Sequence, residues 1–442
     1  MFKTIQLVIL ISLLGCSSRS VNGINHKELD NYLEFVAKKE KAMGETIILK
    51  KGKVFYQKAY GFKDQKMGSI FRIGSISKIF TAVMIMKEVE RGNLSLETKL
   101  SKFFPQLPNA KLITMEHLLR HRSGLVNFTS LPNYLKIAPI KQTESSLIKM
   151  FVKNGVEFNP GKKHKYSNTG YVVLSLILEK LHKKPFDEIL YHEIAAPLKL
   201  KDTYIYKRNE PREHELISYQ YSGSWEKAIN THESVPMGAG AVASTANELA
   251  RFLWSLFNEN KILKQETVVK MKTLVDNYGL GIFSVPFNSS KGFGHTGGID
   301  GFISIGFHFA DLDTVVVNLT NALSMKMNDI TIAILSSATG SGKDIKLPVE
   351  EKLISLSLEE KKIFEGTYKS KTFPLDIKIF VEGKELYAQA TGQGKFILSP
   401  VSEDAFIFAP ASIRINFNSA KNELQLTQSG QSFILKRKGS KR

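Results

Sequence analysis

Apolar residues recur along this chain with two different periods. Leu29, Tyr32, Leu33, Val36 and Ala37 fall at helical spacing and predict a helix with one inward face, with Asn25 and Glu28 placed as its capping box. Thr46–Leu49 and Val54–Ala59 flank Lys51-Gly52, the pattern of a β-hairpin. A long helix follows from Ser75, carrying Ile79, Phe80, Val83, Met84 and Val89 and closed by Gly92. The stretch from about 100 to 260 reads as mainly helical with loops; within it Thr245 and Glu248 form a second capping box ahead of Leu249, Phe252 and Leu253. Phe302–Phe309 and Thr314–Leu319 are apolar strands around a turn at Asp311-Leu312-Asp313. A hairpin, intervening helices and a return to strands predict an α+β layer fold, an antiparallel sheet flanked by helices plus a helical region.

The pattern changes after about residue 345. Short strands alternate with glycine turns: 375–381, 386–391, 395–398, 413–417, 423–428 and 433–436. Leu375, Ile377, Ile379 and Val381 alternate with Asp376, Lys378 and Phe380, the period of a half-buried strand. With Gly383, Gly392, Gly394 and Gly430 between them, these strands predict a small antiparallel sandwich or barrel. The expected organisation is a segment 1–15, a tether 16–24, a larger domain 25–345, a linker 346–357 with a short helix following, and a β-domain 358–442.

The first segment differs from the rest. Met1-Phe2-Lys3 is basic, Ile5 to Leu14 is almost unbroken apolar sequence, and Leu13-Leu14-Gly15-Cys16 follows. The run is too short for a membrane-spanning helix and reads as an export signal. Leu-Leu-Gly-Cys resembles the bacterial lipobox, which implies acylation of Cys16 and a membrane-anchored lipoprotein of the cell envelope. A simple secretory signal with an incidental cysteine is the other reading. Cys16 is the single cysteine in the chain, so no disulfide framework and no thiolate metal site can form. The net charge of +19 favours anionic neighbours such as lipid headgroups and acidic wall polymers, or else reflects solvated, lysine-rich surfaces. The lysines are scattered and the chain reads as exported, which argues against nucleic acid as a partner.

Three short stretches carry candidate chemistry. Ser75-Ile-Ser-Lys78 puts a hydroxyl and an amine one helical turn apart at the opening of an apolar helix. There an amine depressed by burial can take the serine proton, and helix N–H groups can hold an oxyanion. The alternative is a helix cap at Ser75 with Lys78 reaching solvent. Ser146…Lys149 and Ser224…Lys227 share the spacing but lack the apolar helix. Tyr166-Ser167-Asn168 offers a phenol to shuttle a proton and a carboxamide to orient lysine and substrate, or else is a polar loop leading into a core helix. Phe293-Gly-His-Thr-Gly-Gly298 leads into a strand whose glycines allow close approach of a substrate, with the Gly298 N–H as a second oxyanion donor, or else is a glycine-rich strand entry without function.

In this order, the three elements resemble the serine β-lactamase and penicillin-binding-protein superfamily, and Tyr-x-Asn resembles its class C β-lactamase and DD-carboxypeptidase branch. Phe71-Arg-Ile-Gly74, His117 to Leu125, Pro197-Leu198 with Thr203, and Gly238 to Ala246 match that branch too, over about residues 25–340. The resemblance implies Ser75 as nucleophile, Lys78 and Tyr166 sharing acid–base work, and Asn168 and Thr296 positioning substrate. It also implies an oxyanion hole from the Ser75 and Gly298 amides, with Gly297 in the same strand. His295 stands where β-lactamases of the branch usually carry lysine, which moves the expected substrate from antibiotic toward peptide or ester. The implied activity is that of an exported serine hydrolase, a D-alanyl-D-alanine carboxypeptidase or related D-amino-acid peptidase acting on wall peptides. An esterase, a class C-type β-lactamase and a non-catalytic penicillin-binding scaffold are the alternatives. No cofactor or metal is implied. The partners expected are a peptide, ester or β-lactam, peptidoglycan, and a membrane through Cys16.

Two further patterns fall short of the motifs they are similar to. His117 and His121 have the spacing of a metal pair, but Leu118 replaces the glutamate a zincin needs, so both are read as packing. Gly340-Ser-Gly-Lys343 is similar to a phosphate loop, but Asp344 follows where Ser or Thr should stand.

Overall fold

The computed structural model describes residues 26–438 other than 64–65, 341–344, 348–351, 371, 374, 392–394, 409–412 and 429–430. The expected export signal, Cys16, the tether and Asn25 lie outside the described residues, as does most of Gly340 to Lys343.

Lys51 and Gly52 both take positive φ, and the chain reverses there as the hairpin pattern requires. The strands on either side are β1 (Ala42–Lys50) and β2 (Lys53–Tyr60). Four later strands join them: β3 (Phe283–Phe287), β4 (Ser290–Ile299), β5 (Phe302–Phe309) and β6 (Thr314–Leu323). The sheet is antiparallel with order β2-β1-β6-β5-β4-β3.

Alternate residues of the central strands enter two different cores. Ile47, Leu49, Val315 and Val317 pack with helices α2 (Ser77–Glu90), α3 (Asn168–His182) and α4 (Ala246–Phe257). Ile48, Val316 and Phe307 pack on the other face with α1 (Lys27–Lys38) and α5 (Met327–Ala338). Burial on both faces is why β1 and β6 read as nearly continuous apolar runs rather than as alternation. Every residue from Ser77 to Met86 and from Thr169 to Leu178 is buried, so α2 and α3 are enclosed on all sides.

Several local expectations are corrected. Helix α1 begins at Lys27 with His26 in the cap position and no side-chain cap bond. Thr245 does accept from the Glu248 amide, but the Glu248 carboxylate does not return. It is drawn away by the amides of Lys201 and Asp202 and the Thr203 hydroxyl, three donors that one backbone N–H cannot outbid. The middle region also contains strands. Phe71–Arg72, Val242–Ser244 and Tyr204–Ile205 form one small sheet, and Tyr219–Tyr221 pairs with Trp225–Lys227.

The tail is a nine-stranded antiparallel sheet between Gly366 and Arg437, nearly closed as a barrel. Lys395–Ile397 is one edge and Ser399–Pro400 the other, with Leu398 alone between them, so the chain itself carries one edge round to the other. Phe364, Ile379, Leu386, Leu398, Phe406, Ile415, Leu424 and Leu435 fill the interior. Gly366–Lys369, Ser399–Pro400 and Ala405–Phe408 are strands that the glycine spacing did not reveal. The short helix Leu358–Lys362 precedes the sheet, opened by a capping box between Ser357 and Glu360.

Candidate active site

The two enclosed helices begin at the same place. Ser75 lies in a 3-10 turn, Gly74–Ile76, that runs directly into α2, and Asn168 is the first residue of α3. Lys78, one turn along α2, is fully buried and its Nζ reaches three oxygens: Ser75 Oγ at 2.9 Å, Asn168 Oδ1 at 2.8 Å and the Ala239 carbonyl at 2.7 Å. Lys78 therefore does not reach solvent, and the Ser75 hydroxyl does not serve as a helix cap. The amine sits 4.9 Å from the centre of the Tyr166 ring and 5.5 Å from that of Tyr171. No acidic side chain pairs with it among the described residues, and burial pushes its pKa well below the ordinary lysine value. Burial has the opposite effect on Tyr166, raising the phenol above its usual value against a bond to Ser75.

Strand β4 closes the other side. Gly74 has φ +51, and a Cβ there would stand 2.7 Å from the Gly298 nitrogen. A Cβ on Gly297 would stand 2.0 Å from the Ile73 carbonyl oxygen. Glycine at both positions is what lets the turn carrying Ser75 lie backbone-to-backbone against the strand. Strand β3 pairs with β4 only as far as Gly294, so the Thr296–Gly298 edge beyond it is left to the pocket. Thr296 and Gly298 are exposed, while His295 and Gly297 are buried.

Ser75, Tyr166, His295, Thr296, Gly297 and Gly298 line one pocket of about 280 Å³, together with Tyr278 and Phe283. Lys78 and Asn168 join them through the Ser75 bond, so the structure brings all eight sequence-predicted residues to one place. Asn168 is held in turn by Thr129, which accepts from its Nδ2 at 2.8 Å, and by Asn127, which accepts from its amide at 2.9 Å.

Tyr278 and Phe283 were not predicted. Tyr278 stands in a loop whose Gly281 has φ +77 and would drive a Cβ to 2.4 Å from Ala82 of α2. The closely spaced Gly279 and Gly281 beside an aromatic residue were the available signal. His121, read from the sequence as packing, belongs to the site. Its ring lies 4.2 Å from that of Tyr166, it accepts from the Ser167 amide at 3.2 Å, and it meets the Tyr278 hydroxyl at 3.0 Å. His117 instead closes a capping box with Thr114, and Ser146 closes one with Thr143. Among the described residues, no group of three or more His, Cys, Asp or Glu is placed to hold a metal ion.

A nucleophile turn opening one enclosed helix, a Tyr-x-Asn turn opening another, and a glycine-rich strand across the gap define a serine acyl-transfer site of the β-lactamase type. The profile of the beta-lactamase family matches residues 36–339, and the chain belongs to that family. It is 25% identical to penicillin-binding protein 4* of Bacillus subtilis over 94% of this chain and 97% of that protein. A teichoic acid D-alanine hydrolase of Staphylococcus aureus is 27% identical over 205 residues, 45% of this chain and 49% of that one. The crystal structure of D-amino acid amidase from Ochrobactrum anthropi SV3, complexed with L-phenylalanine amide, superposes with a TM-score of 0.61 at 26% identity, covering 71% of this chain and 99% of that chain. The chain is a serine hydrolase of this family.

Proposed function

We propose that the chain hydrolyses D-amino-acyl groups, above all D-alanyl groups of the cell envelope, through an acyl-enzyme on Ser75. The observation that carries this reading is the set of partners around Lys78. Two of its three oxygens are carbonyls, which only accept hydrogen bonds. A neutral amine has two hydrogens and one lone pair, so it satisfies both carbonyls and points its lone pair at the Ser75 hydroxyl. An ammonium would also find three acceptors here, and burial with no acidic partner among the described residues selects the neutral base.

The chemistry follows from that placement. Lys78 takes the proton as Ser75 Oγ attacks the substrate carbonyl, and the Ser75 and Gly298 amides hold the developing oxyanion. Tyr166, kept protonated by burial, gives its hydrogen to the leaving group and recovers one from Lys78. Water then enters, Lys78 and Tyr166 repeat the exchange in reverse, and the acid is released. Asn168 keeps the lysine aimed and offers its amide to the substrate.

The choice of D-amino-acyl substrate rests on the relatives named for D-alanine and D-amino acid hydrolysis. Wall peptides ending in D-alanyl-D-alanine, the carboxypeptidase substrates expected from the sequence, and D-alanyl esters and amides all belong to this class. The test is labelling of the purified chain by a fluorescent penicillin, with release of D-alanine measured from a pentapeptide and from a D-alanyl ester. Ser75→Ala is expected to abolish both label and turnover; a label that survives in Ser75→Ala removes Ser75 from the nucleophile role.

We further propose that residues 1–15 direct export and that Cys16 carries an acyl anchor, which would set the enzyme beside peptidoglycan. No helix of the described residues is long and apolar enough to cross a membrane. Metabolic labelling with a radioactive fatty acid checks this: label is expected in the full chain and absent from Cys16→Ser.

A further inference from the structure

Three side chains that no motif connects form one hydrogen-bonded chain along the pocket wall. At one end the Ser167 amide donates to His121 Nδ1 at 3.2 Å, so that nitrogen carries no hydrogen. Burial holds His121 well below its ordinary pKa, hence neutral, and its hydrogen sits on Nε2. Nε2 then donates to the Tyr278 hydroxyl at 3.0 Å. At the other end, His295 Nδ1 faces the Thr296 carbonyl oxygen, which only accepts, so Nδ1 carries the hydrogen. His295 is also neutral, held down to about 3 by burial, and its Nε2 accepts from the Tyr278 hydroxyl at 2.9 Å. Reasoned from either end, the direction is the same: His121 to Tyr278 to His295 to the strand carbonyl.

The consequence concerns charge. Both nitrogens of His295 are occupied, and the ring lies 2% exposed under the edge of Phe283, 5.0 Å away. None of the described residues lining the pocket is a lysine or arginine. Lys78 must be neutral to act, and Arg120, which donates to the Tyr278 carbonyl at 3.0 Å, is turned away from the pocket lining and paired with Glu116. A peptide that ends in D-alanine would carry its carboxylate into this space just beyond the scissile bond. There it would meet the Thr296 hydroxyl, backbone and aromatic rings, with no positive charge to replace lost water.

We propose that Tyr278, by occupying His295 Nε2 while the Thr296 carbonyl occupies Nδ1, makes this a site for D-amino-acyl esters and amides whose leaving group is uncharged, in preference to peptides ending in a free carboxylate. The proposal rests on the acyl-enzyme reading above and narrows its substrate class. Tyr278 is a positioning residue here: it acts on the leaving group through His295.

The test is a matched pair of substrates given to the purified full chain: an N-acyl-D-alanyl-D-alanine and its C-terminal amide. The amide is expected to have the higher kcat/KM, by about tenfold or more, the size of discrimination a misplaced charge or polar group produces. Tyr278→Phe removes the hydroxyl and releases His295 Nε2; the ratio of the two substrates is then expected to move toward one, whatever happens to kcat, which a purely structural role for the ring would not cause. Equal rates, or preference for the carboxylate, in the native chain overturn the proposal while leaving the acyl-enzyme reading intact. An unchanged ratio in Tyr278→Phe overturns the role of Tyr278. Failure to hydrolyse either substrate overturns the proposal as well; if Ser75 also takes no label from an uncharged fluorophosphonate probe, the acyl-enzyme reading falls with it.

Discussion

Arg72 and Asp300 form a buried ion pair at 3.3 Å that ties the turn carrying Ser75 to the end of strand β4. Arg72 is three residues before Ser75, and Asp300 is two residues after Gly298. The same guanidinium donates to Asn230 at 2.6 Å and to Glu215 at 3.2 and 3.3 Å, and stacks 3.9 Å from the centre of the Tyr206 ring. Asp300 also accepts from the Thr231 hydroxyl at 2.6 Å. Every charge in the cluster is shielded from water, so its geometry is held by fixed partners rather than by solvent.

Replacing Arg72 by methionine leaves Glu215 and Asp300 buried without their cation. The expected cost is about 3–5 kcal/mol of stability, read from urea unfolding, because stranding a buried partner costs more than the pair is worth. In the fraction that remains folded, the spacing of Ser75 and Gly298 loosens. Penicillin acylation is then expected to slow with little change in apparent affinity, whereas a change in stability alone would leave the rate per folded molecule untouched.

The Gly74 contact predicts a sharper loss. A methyl at this position meets the Gly298 nitrogen at 2.7 Å and also suffers the strain of φ +51. Gly74→Ala is expected to push the Ser75 and Gly298 amides, the proposed oxyanion donors, apart and lower kcat by roughly 10²–10³, the effect of losing one such donor. Gly92→Ala is the control, since φ there is +77 but nothing lies within 4 Å. It should cost only about 1 kcal/mol of stability with kcat unchanged.

Lys78 and Tyr166 are expected to separate by pH and by leaving group. Acylation should rise with pH as Lys78 loses its proton, with a midpoint below the ordinary lysine value, because burial depresses it. Lys78→Arg, which keeps its charge, should lose about 10²–10⁴ in acylation rate at every pH. Tyr166→Phe should cost far more with an alkyl ester or amide than with a nitrophenyl ester, whose leaving group needs no proton. Stability gives an independent check on the same burial. The unfolded chain keeps the Lys78 proton up to about pH 10.4 while the folded chain releases it at lower pH, so between the two this residue's contribution improves as pH rises, by about 1.4 kcal/mol per pH unit. Lys78→Met should therefore unfold at higher urea than the native chain near pH 7, with the difference closing toward pH 10.

How much of this was legible in the sequence follows from the range of the interactions. Ser75 and Lys78 share one helical turn, and β1 and β2 share one hairpin, so local spacing reveals them. The Tyr166-x-Asn168 turn and the His295–Gly298 strand were legible as motifs, and their meeting was implied by the order of the set. The His121–Tyr278–His295 chain was not, because its links join residues 157 and 17 positions apart through single side-chain atoms. Glu248 shows the same limit from the other direction. Its position fits a capping box, and donors some 45 residues away decide otherwise. In the tail, Ala405–Phe408 has no glycine turn to announce it, and its neighbours Ser399–Pro400 and Ile413–Asn418 supply the partners that make it a strand.

Glu45 predicts a pH dependence of the opposite sign to that of Lys78. Its side chain is buried on β1, where the Gly68 amide donates to it at 2.9 Å and the Ser69 amide also helps to hold it. Burial outweighs both bonds and raises the carboxyl to about 7. The folded chain therefore binds a proton that the unfolded chain has already released above about pH 4.5, so stability is lost as pH rises between those values. By pH 8 the loss is on the order of 3 kcal/mol from this one group. Glu45→Gln keeps an acceptor for the Gly68 amide and cannot ionise. It is expected to match the native chain near pH 4.5 and to exceed it at pH 8, with the urea midpoint measured at both pH values; midpoints that run parallel across the range would show that Glu45 is not the titrating group.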